Sequence, residues 1–410
     1  SGCANPGEMC TLMGASGAGK STLLDLLANR KTTGVTSGDI LFNGMERSSV
    51  IDQCSAYVMQ DSVHLPMLTV RQTLTYAALL RMREGRSAKR KRARVQEIMD
   101  MLGLSSHADT IVGNARVRGI SGGQAKRLSI GVEIINLPDI IFLDEPTTGL
   151  DSSIALEVMS AVRILASQNR TIIATIHQPS PPTYALFDKL LLLAEGRVIY
   201  YGSSRDAVSY FTSCPYEFRY VRGTNPADFI VSVAGSFTKS QDGLEVTATD
   251  LAACYCQHPS YTSLMCELNT MISSDREKAL HDPAVVNSTS SSHYHTSTLF
   301  QIGVLCERGA LNKWKAPQAT MADFISHAFI SLFYGSLYYN LDNDQYQERL
   351  SLLFFSLIFA IMGHQKSMPA IFEERLMFYR ERGAGAYGPV AYWFSAGILA
   401  LPLVTINIFV

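Results

Sequence analysis

Charge of either sign is scarce in this chain. Lys and Arg together number 35, Asp and Glu 36, and charged residues make up only 17% of the 410. A net charge of −1 leaves no chain-wide basic surface for nucleic acid and no acidic tail. None of the eight cysteines stands in Cys-x-x-Cys or zinc-finger spacing, and the tightest pair is Cys254-Tyr-Cys256. A disulfide framework and a zinc module are thereby excluded as organising devices, which leaves reduced cytosolic thiols. An initiator Met and a signal peptide are missing, and the last residues fall inside an apolar run, so both ends are expected to be cut.

What is present is apolar mass, 47% of the residues, too much for intrinsic disorder. It is unevenly spread. Ser1 to about Thr296 alternates apolar and charged segments, whereas Met321 to Val410 is mostly apolar. Three stretches stand out there: Asp323 to Tyr339, Leu350 to Gly363 and Ala386 to Val410. A membrane span needs about 20 apolar residues, so these are expected to be about three spans. The acidic loop Asp342 to Glu348 would face outward. The loop with Lys366, Arg375, Arg380 and Arg382 would face the cytosol.

In the first part, Glu8 to Met13 reads as a strand, Lys20 to Asn29 as a helix, and Val70 to Arg83 as a helix with Leu74, Ala77, Ala78 and Met82 at helical spacing. Ile140 to Leu143 and Thr171 to Ile176 are continuous apolar runs, the pattern of parallel strands covered on both faces. Hairpins are expected at Asn43-Gly44 and Glu195-Gly196. Eight basic residues between Arg81 and Arg94 have no interleaved aromatics, so they read as a solvated helical face rather than a nucleic-acid patch.

The chemistry starts at Gly14-Ala15-Ser16-Gly17-Ala18-Gly19-Lys20-Ser21, followed by Thr22, a G-x-x-x-x-G-K-[ST] phosphate loop between a strand and a helix. Its glycines let backbone N–H groups turn around phosphate oxygens, and the helix N-terminus adds positive potential. Lys20 is expected to reach the β- and γ-phosphates and the Ser21 hydroxyl to ligate Mg²⁺. The run Ile140 to Leu143 ends in Asp144 and Glu145. A carboxylate at a strand's C-terminal end lies beside the phosphate loop of such a sheet, so Asp144 is expected to hold the metal. Glu145 projects differently and is the candidate general base for the attacking water.

Other phosphate-loop proteins share those elements. Ser121-Gly122-Gly123-Gln124 adds a segment that resembles the signature motif of the ATP-binding cassette (ABC) proteins. Gln60, Gly149-Leu150-Asp151 and His177 stand in the family's order as Q-loop, D-loop and switch histidine. By this resemblance, Gln60 joins the metal site and couples it to a membrane domain, while His177 contacts the γ-phosphate and attacking water. Ser121, Gly122, Gly123 and Gln124 would serve ATP on an opposite cassette, with Asp151 at the interface. A cassette that precedes the membrane segments resembles the G subfamily, the white and pleiotropic-drug-resistance group. So do Pro146 to Ser152, His177-Gln-Pro-Ser180 and Asn225-Pro-Ala-Asp-Phe229. Glu373-Glu-Arg375 resembles that group's cytosolic loop.

The fold expected is an α/β P-loop NTPase cassette followed by α-helical transmembrane segments. The cassette would have a mostly parallel sheet, β-hairpins and a helical signature subdomain. Boundaries are placed at 1–235 for the cassette, 236–296 for a Ser/Thr-rich linker with room for partial order, 297–316 for an amphipathic connecting helix and 317–410 for a partial membrane domain. The family carries six spans per cassette, against three here. No adenine-stacking aromatic precedes the phosphate loop. The resemblance implies an ATP- and Mg²⁺-dependent exporter of lipophilic substrates (lipid, sterol or xenobiotic). It would work in the plasma membrane as a homo- or heterodimer of cassettes, with no nucleic-acid partner. Phe354, Phe355 and Phe359 are candidates for lining a substrate site. The rival readings are a soluble ABC ATPase acting on ribosomes or DNA, which should lack the apolar tail, and a non-transporting membrane regulator, which should have degenerate motifs.

Overall fold

A computed structural model describes the chain apart from residues 32, 44, 47–53, 83–86, 115–116, 236–237, 240–244, 282–293, 340–345, 366–367 and 410. It divides into two compact units. One comprises Ser1–Ser62, Ala93–His107 and Ser121–His293, the other Val63–Arg92, Ala108–Ile120 and Tyr294–Val410.

The first unit is built on strands β1 (Met9–Gly14), β4 (Ser55–Val58), β5 (Ile140–Leu143), β6 (Thr171–Thr175), β7 (Lys189–Ala194) and β8 (Arg197–Ser203). The small hairpin β2 (Leu41–Phe42) and β3 (Met45–Glu46) pairs separately. The six-stranded sheet has the order β4-β5-β6-β1-β7-β8. All neighbours are parallel except β7 and β8, which form a hairpin through Glu195 and Gly196. Every residue of β1 is buried, as a strand covered on both faces requires. Leu12 lies opposite Thr175, Ala174 opposite Leu143, and Leu143 opposite Val58. Four neighbouring strands therefore finish on one line, and the residues that follow them converge there.

Helices Gly122–Glu133 and Ser152–Ser167 belong to the same unit. They approach closely at Gly123, where a Cβ would run into Ile154 Cγ2. A side chain at 123 would force the Ile154 side chain to move.

Part of the stretch read as a linker is ordered. Helix Ala248–Gln257 begins at a Thr247–Asp250 capping box, and helix Pro259–His281 follows. Leu251, Tyr255 and Leu264 pack into a cluster with Tyr200, Tyr210 and Phe211. The Tyr255 hydroxyl donates to Tyr201 O at 2.9 Å. Few large side chains carry this packing among many Ser and Thr, so periodicity gave little sign of it.

The basic run is not wholly solvated. Lys89, Arg90 and Arg92 are exposed, but Arg81, Lys91 and Arg94 are buried, and Arg83 and Arg86 lie outside the described residues. The Arg94 guanidinium donates to the carbonyls of Ile134 and Ile135 at 3.3 and 3.4 Å, beyond the end of the helix Gly122–Glu133. Long basic side chains bury their stems and keep the charged head on acceptors, which binary patterning does not register.

The second unit has its own core. Helix Val70–Arg81 starts at a Thr69–Gln72 capping box. Its Tyr76 and Leu80 pack with Val304 and Leu305 of helix Thr298–Lys315 and with Ala386, Tyr387 and Ala391. Arg308 grips Glu381 through two bonds of 2.7 and 3.0 Å, and the Tyr387 hydroxyl donates to Glu381 Oε2 at 2.7 Å. Helices Pro317–Leu337, Tyr346–Gln365, Met368–Gly383 and Pro389–Phe409 complete the unit. Among the described residues, no helix is long and apolar enough to cross a membrane. Many large apolar side chains there are exposed, including Phe329, Leu332, Phe354, Phe355, Trp393 and Leu401. The side chains of Phe359 and Glu373 fall outside the described residues.

Candidate active site

The phosphate loop leaves β1 at Gly14, whose φ is +148° and whose Cβ, if present, would strike Leu193 O. Gly17 and Gly19 also have positive φ, with open space where a Cβ would stand. Helix Lys20–Leu27 begins at Gly19 without a side-chain cap. Helices Gly122–Glu133 and Ser152–Ser167 are instead capped by Ser121 and Asp151. Bare backbone, positive φ and an uncapped helix start leave N–H groups free for an external anion. This cradle suits the phosphates of a nucleotide.

Lys20 is buried, and its Nζ donates to Gly14 O at 3.0 Å and Ala15 O at 2.9 Å. Burial lowers its pKa, while the charges of Glu145 and Asp144 act the other way. Ser16, Gly17 and Thr22 are exposed, and Ala18 is buried.

The acid pair follows β5. Asp144 Oδ1 accepts from Ser21 Oγ at 3.1 Å and from Thr175 Oγ1 at 2.8 Å. Tyr57 OH lies 3.3 Å from Asp144 Oδ2 and donates to Asp25 at 2.8 Å. The Arg30 guanidinium lies 4.2 Å from the centre of the Tyr57 ring. Burial, followed by the Asp144 charge and the Asp25 hydrogen bond, raises the Tyr57 pKa and keeps the phenol a donor. Glu145 has φ +43°, a left-handed backbone that costs about 1–3 kcal/mol for a residue with a side chain. Its N–H donates to Thr175 Oγ1 at 2.9 Å. Both Gln60 Nε2, at 2.9 Å, and Thr148 Oγ1, at 3.0 Å, donate to Glu145 Oε2.

Ser21, Asp144 and Gln60 offer hydroxyl, carboxylate and amide oxygens, a hard set suited to Mg²⁺. Among the described residues, no three His, Cys, Asp or Glu side chains cluster to hold a metal.

His177 is exposed, and Gln178 after it has φ +46°. The histidine lines a cavity of about 530 Å³ with Thr147, Thr148, Gly149, Leu150 and Asn225. Ser121 and Gln124 satisfy one another in a capping box, with Gln124 N to Ser121 Oγ at 3.3 Å and Ser121 N to Gln124 Oε1 at 2.8 Å. Asp151 accepts from Ile154 N at 2.8 Å.

The structure thus brings Lys20, Ser21, Gln60, Asp144 and Glu145 together. Among the described residues, no hydrogen bond joins Ser121, Gly122, Gly123, Gln124 or Asp151 to the phosphate loop. Sequence reading missed Tyr57, Thr148, Thr175 and Lys126. Lys126 is buried and its ammonium donates to Gln60 O. The position of Thr175, last in an apolar strand and two residues before His177, was the available signal.

Comparison with known proteins gives this geometry a family. Residues 1–148 match the model described as ABC transporter. Residues 300–410 and 177–331 match models described as ABC-2 type transporter. This chain belongs to the ABC transporter family. It is 35% identical to ABC transporter G family member 3 of Dictyostelium discoideum over 98% of its length, which is 28% of that relative. It is 35% identical to the broad substrate specificity ATP-binding cassette transporter ABCG2 of Bos taurus, with 96% of the chain and 62% of the relative covered. The corresponding figures for G family member 21 of Arabidopsis thaliana are 35%, 98% and 61%. The chain therefore spans less than two thirds of each of these relatives. As an ABC protein it carries an ATP-binding cassette with a mostly parallel sheet, followed by a helical domain of the ABC-2 membrane type.

Proposed function

We propose that this chain is the cassette and part of the membrane domain of an ATP-driven exporter of lipophilic compounds, active as a pair of cassettes. The observation that carries it is the gathering of Lys20, Ser21, Gln60, Asp144 and Glu145 at one edge of the sheet, beside an uncapped helix start. Gly14 to Thr22 hold the phosphates through backbone N–H groups, and Lys20 exchanges its two carbonyl partners for phosphate oxygens. Ser21, Asp144 and Gln60 hold Mg²⁺, which when bound neutralises charge on those oxygens.

Glu145 is the general base. Gln60 and Thr148 occupy its Oε2, so Oε1 takes the proton of the water that attacks the γ-phosphorus. The phosphorus–oxygen bond to ADP breaks as the new one forms. His177 contacts the γ-phosphate. Ser121, Gly122, Gly123 and Gln124 serve the opposite cassette's nucleotide, a reading supported by the lack, among the described residues, of any hydrogen bond from them to this chain's own phosphate loop. Asp151 lies at the same interface. The partner is a second cassette, in another copy, a related chain or a longer form of this one.

In this reading residues 1–235 are the cassette, 236–296 connect it, 297–316 form the connecting helix, and 317–410 supply about three membrane spans. The exposed apolar side chains of 317–410 and the ABC-2 match support the spans. The plasma membrane is the proposed site. The test is ATP hydrolysis by the purified chain in detergent or bilayer discs, with lipids and drugs as stimulants. Hydrolysis that Lys20→Ala weakens through nucleotide affinity supports the reading. A chain that leaves the membrane fraction without detergent, or binds no ATP, overturns it.

A further inference from the structure

We propose that Thr175 is a positioning residue for the acid pair, setting the metal-side carboxylate and the general base through one hydroxyl. This rests on the reading of Asp144 and Glu145 just given.

Thr175 ends β6, between β5 and β1, and is fully buried. Its Oγ1 has one proton, which it gives to Asp144 Oδ1 at 2.8 Å. A lone pair of the same oxygen receives the Glu145 N–H at 2.9 Å. A hydroxyl fixed by its donor bond is directional in its acceptor bond, so the two acids are set relative to each other.

That matters most for Glu145. Its backbone is left-handed, a conformation that persists only where surroundings over-determine it. The bond to Thr175 holds that conformation from the amide side, and Thr148 N to Glu145 O at 3.2 Å holds it from the carbonyl side. Ser21 and Tyr57 also touch Asp144, but neither touches Glu145 among the described residues. Thr175 is the link between them.

Valine has the shape of threonine and the same fit to a strand, without the hydroxyl. Serine keeps the hydroxyl and loses the methyl. The two substitutions therefore separate positioning from packing. In the full chain, Thr175→Val should lower kcat for ATP about 10–100-fold, the usual effect of losing an outer-shell partner. KM for ATP should stay within about threefold, because the phosphate loop is untouched. The Mg²⁺ concentration that half-saturates binding of a fluorescent ATP analogue, read without turnover, should rise severalfold. Thr175→Ser should restore both values to within about threefold of the parent.

The inference fails if Thr175→Val keeps the parent kcat and Mg²⁺ dependence. It also fails if Thr175→Ser is the damaged variant, since that is the mark of packing. Should Thr175→Val not fold, Thr175→Ser still decides between the two. A parent chain that binds no nucleotide removes the function reading, and this inference with it. A parent that hydrolyses ATP and tolerates valine removes this inference alone.

Discussion

Two groups of carboxylates in this molecule have opposite surroundings. Glu381, in the second unit, is 12% exposed and meets Arg308, itself 8% exposed, through two bonds. Burial opposes its charge, but Arg308, with Arg380 and Tyr387 behind it, outweighs burial and holds Glu381 below the ordinary carboxylate range. Asp144 and Glu145, in the first unit, are only partly buried and touch hydroxyls and an amide. Among the described residues, neither forms a salt bridge. A carboxylate that finds its countercharge inside the protein is complete and serves structure. Carboxylates ringed by neutral donors, next to an uncapped helix start, keep charge available for a cation from outside.

The sharpest way to break the contrast is to remove charge from each group in turn. Glu145→Gln should reduce ATP turnover by about 10²–10⁴-fold, the range for a general base. ATP binding should persist, measured by a fluorescent analogue, and the melting temperature should barely move, since no ion pair is lost. Unchanged turnover would remove Glu145 from the chemistry.

The reverse is expected at the closed pair. Arg308→Met should destabilise the protein by about 3 kcal/mol, because a buried carboxylate loses its bidentate partner and keeps only the Arg380 guanidinium at 3.7 Å and the Tyr387 hydroxyl. The double substitution Arg308→Met with Glu381→Leu should recover most of that loss. Denaturant unfolding reads both, and a double variant as unstable as the single one would mean that the pair does more than neutralise itself. Acid gives a milder version of the same experiment. The folded pKa of Glu381 lies below its ordinary 4.5, so its contribution is full above that value. It is lost as pH falls below 4.5 through the folded value, and the Arg308→Met single variant should lack this part of the acid transition.

Much of the first unit was legible because its signals are local. The apolar runs at β1, β5 and β6 needed no tertiary information, and the phosphate loop is defined by spacing alone. The same holds for the acid-tipped strand. What stayed hidden depends on register. Nothing local says that Leu143 will lie opposite Ala174, yet that pairing brings a strand threonine, the next residue Thr175, to Asp144. Nothing in the sequence around Tyr57 marks its hydroxyl as the partner of Asp25. Between residues 248 and 281 the sequence showed no more than a part-ordered linker, because a few buried side chains are outnumbered by Ser and Thr. Arg94 was misread because its acceptors, the carbonyls of Ile134 and Ile135, lie 40 and 41 residues away.

Lys126 offers the finest test of whether the acid pair truly lacks an internal partner. It is buried near Asp61, Asp144 and Glu145, yet its ammonium bonds the Gln60 carbonyl rather than a carboxylate. Burial lowers its pKa, so the charged form is held at a penalty, and the nearby acids only partly offset it. Lys126→Met keeps the stem and removes both the hydrogen bond and that penalty. The two changes oppose each other, so stability should shift by no more than about 1 kcal/mol. Turnover should fall by less than about tenfold, through a looser Gln60 rather than a lost catalytic charge. If turnover instead collapsed as it does in Glu145→Gln, Lys126 would be the missing counterion. The two carboxylate groups would then differ in geometry and not in kind.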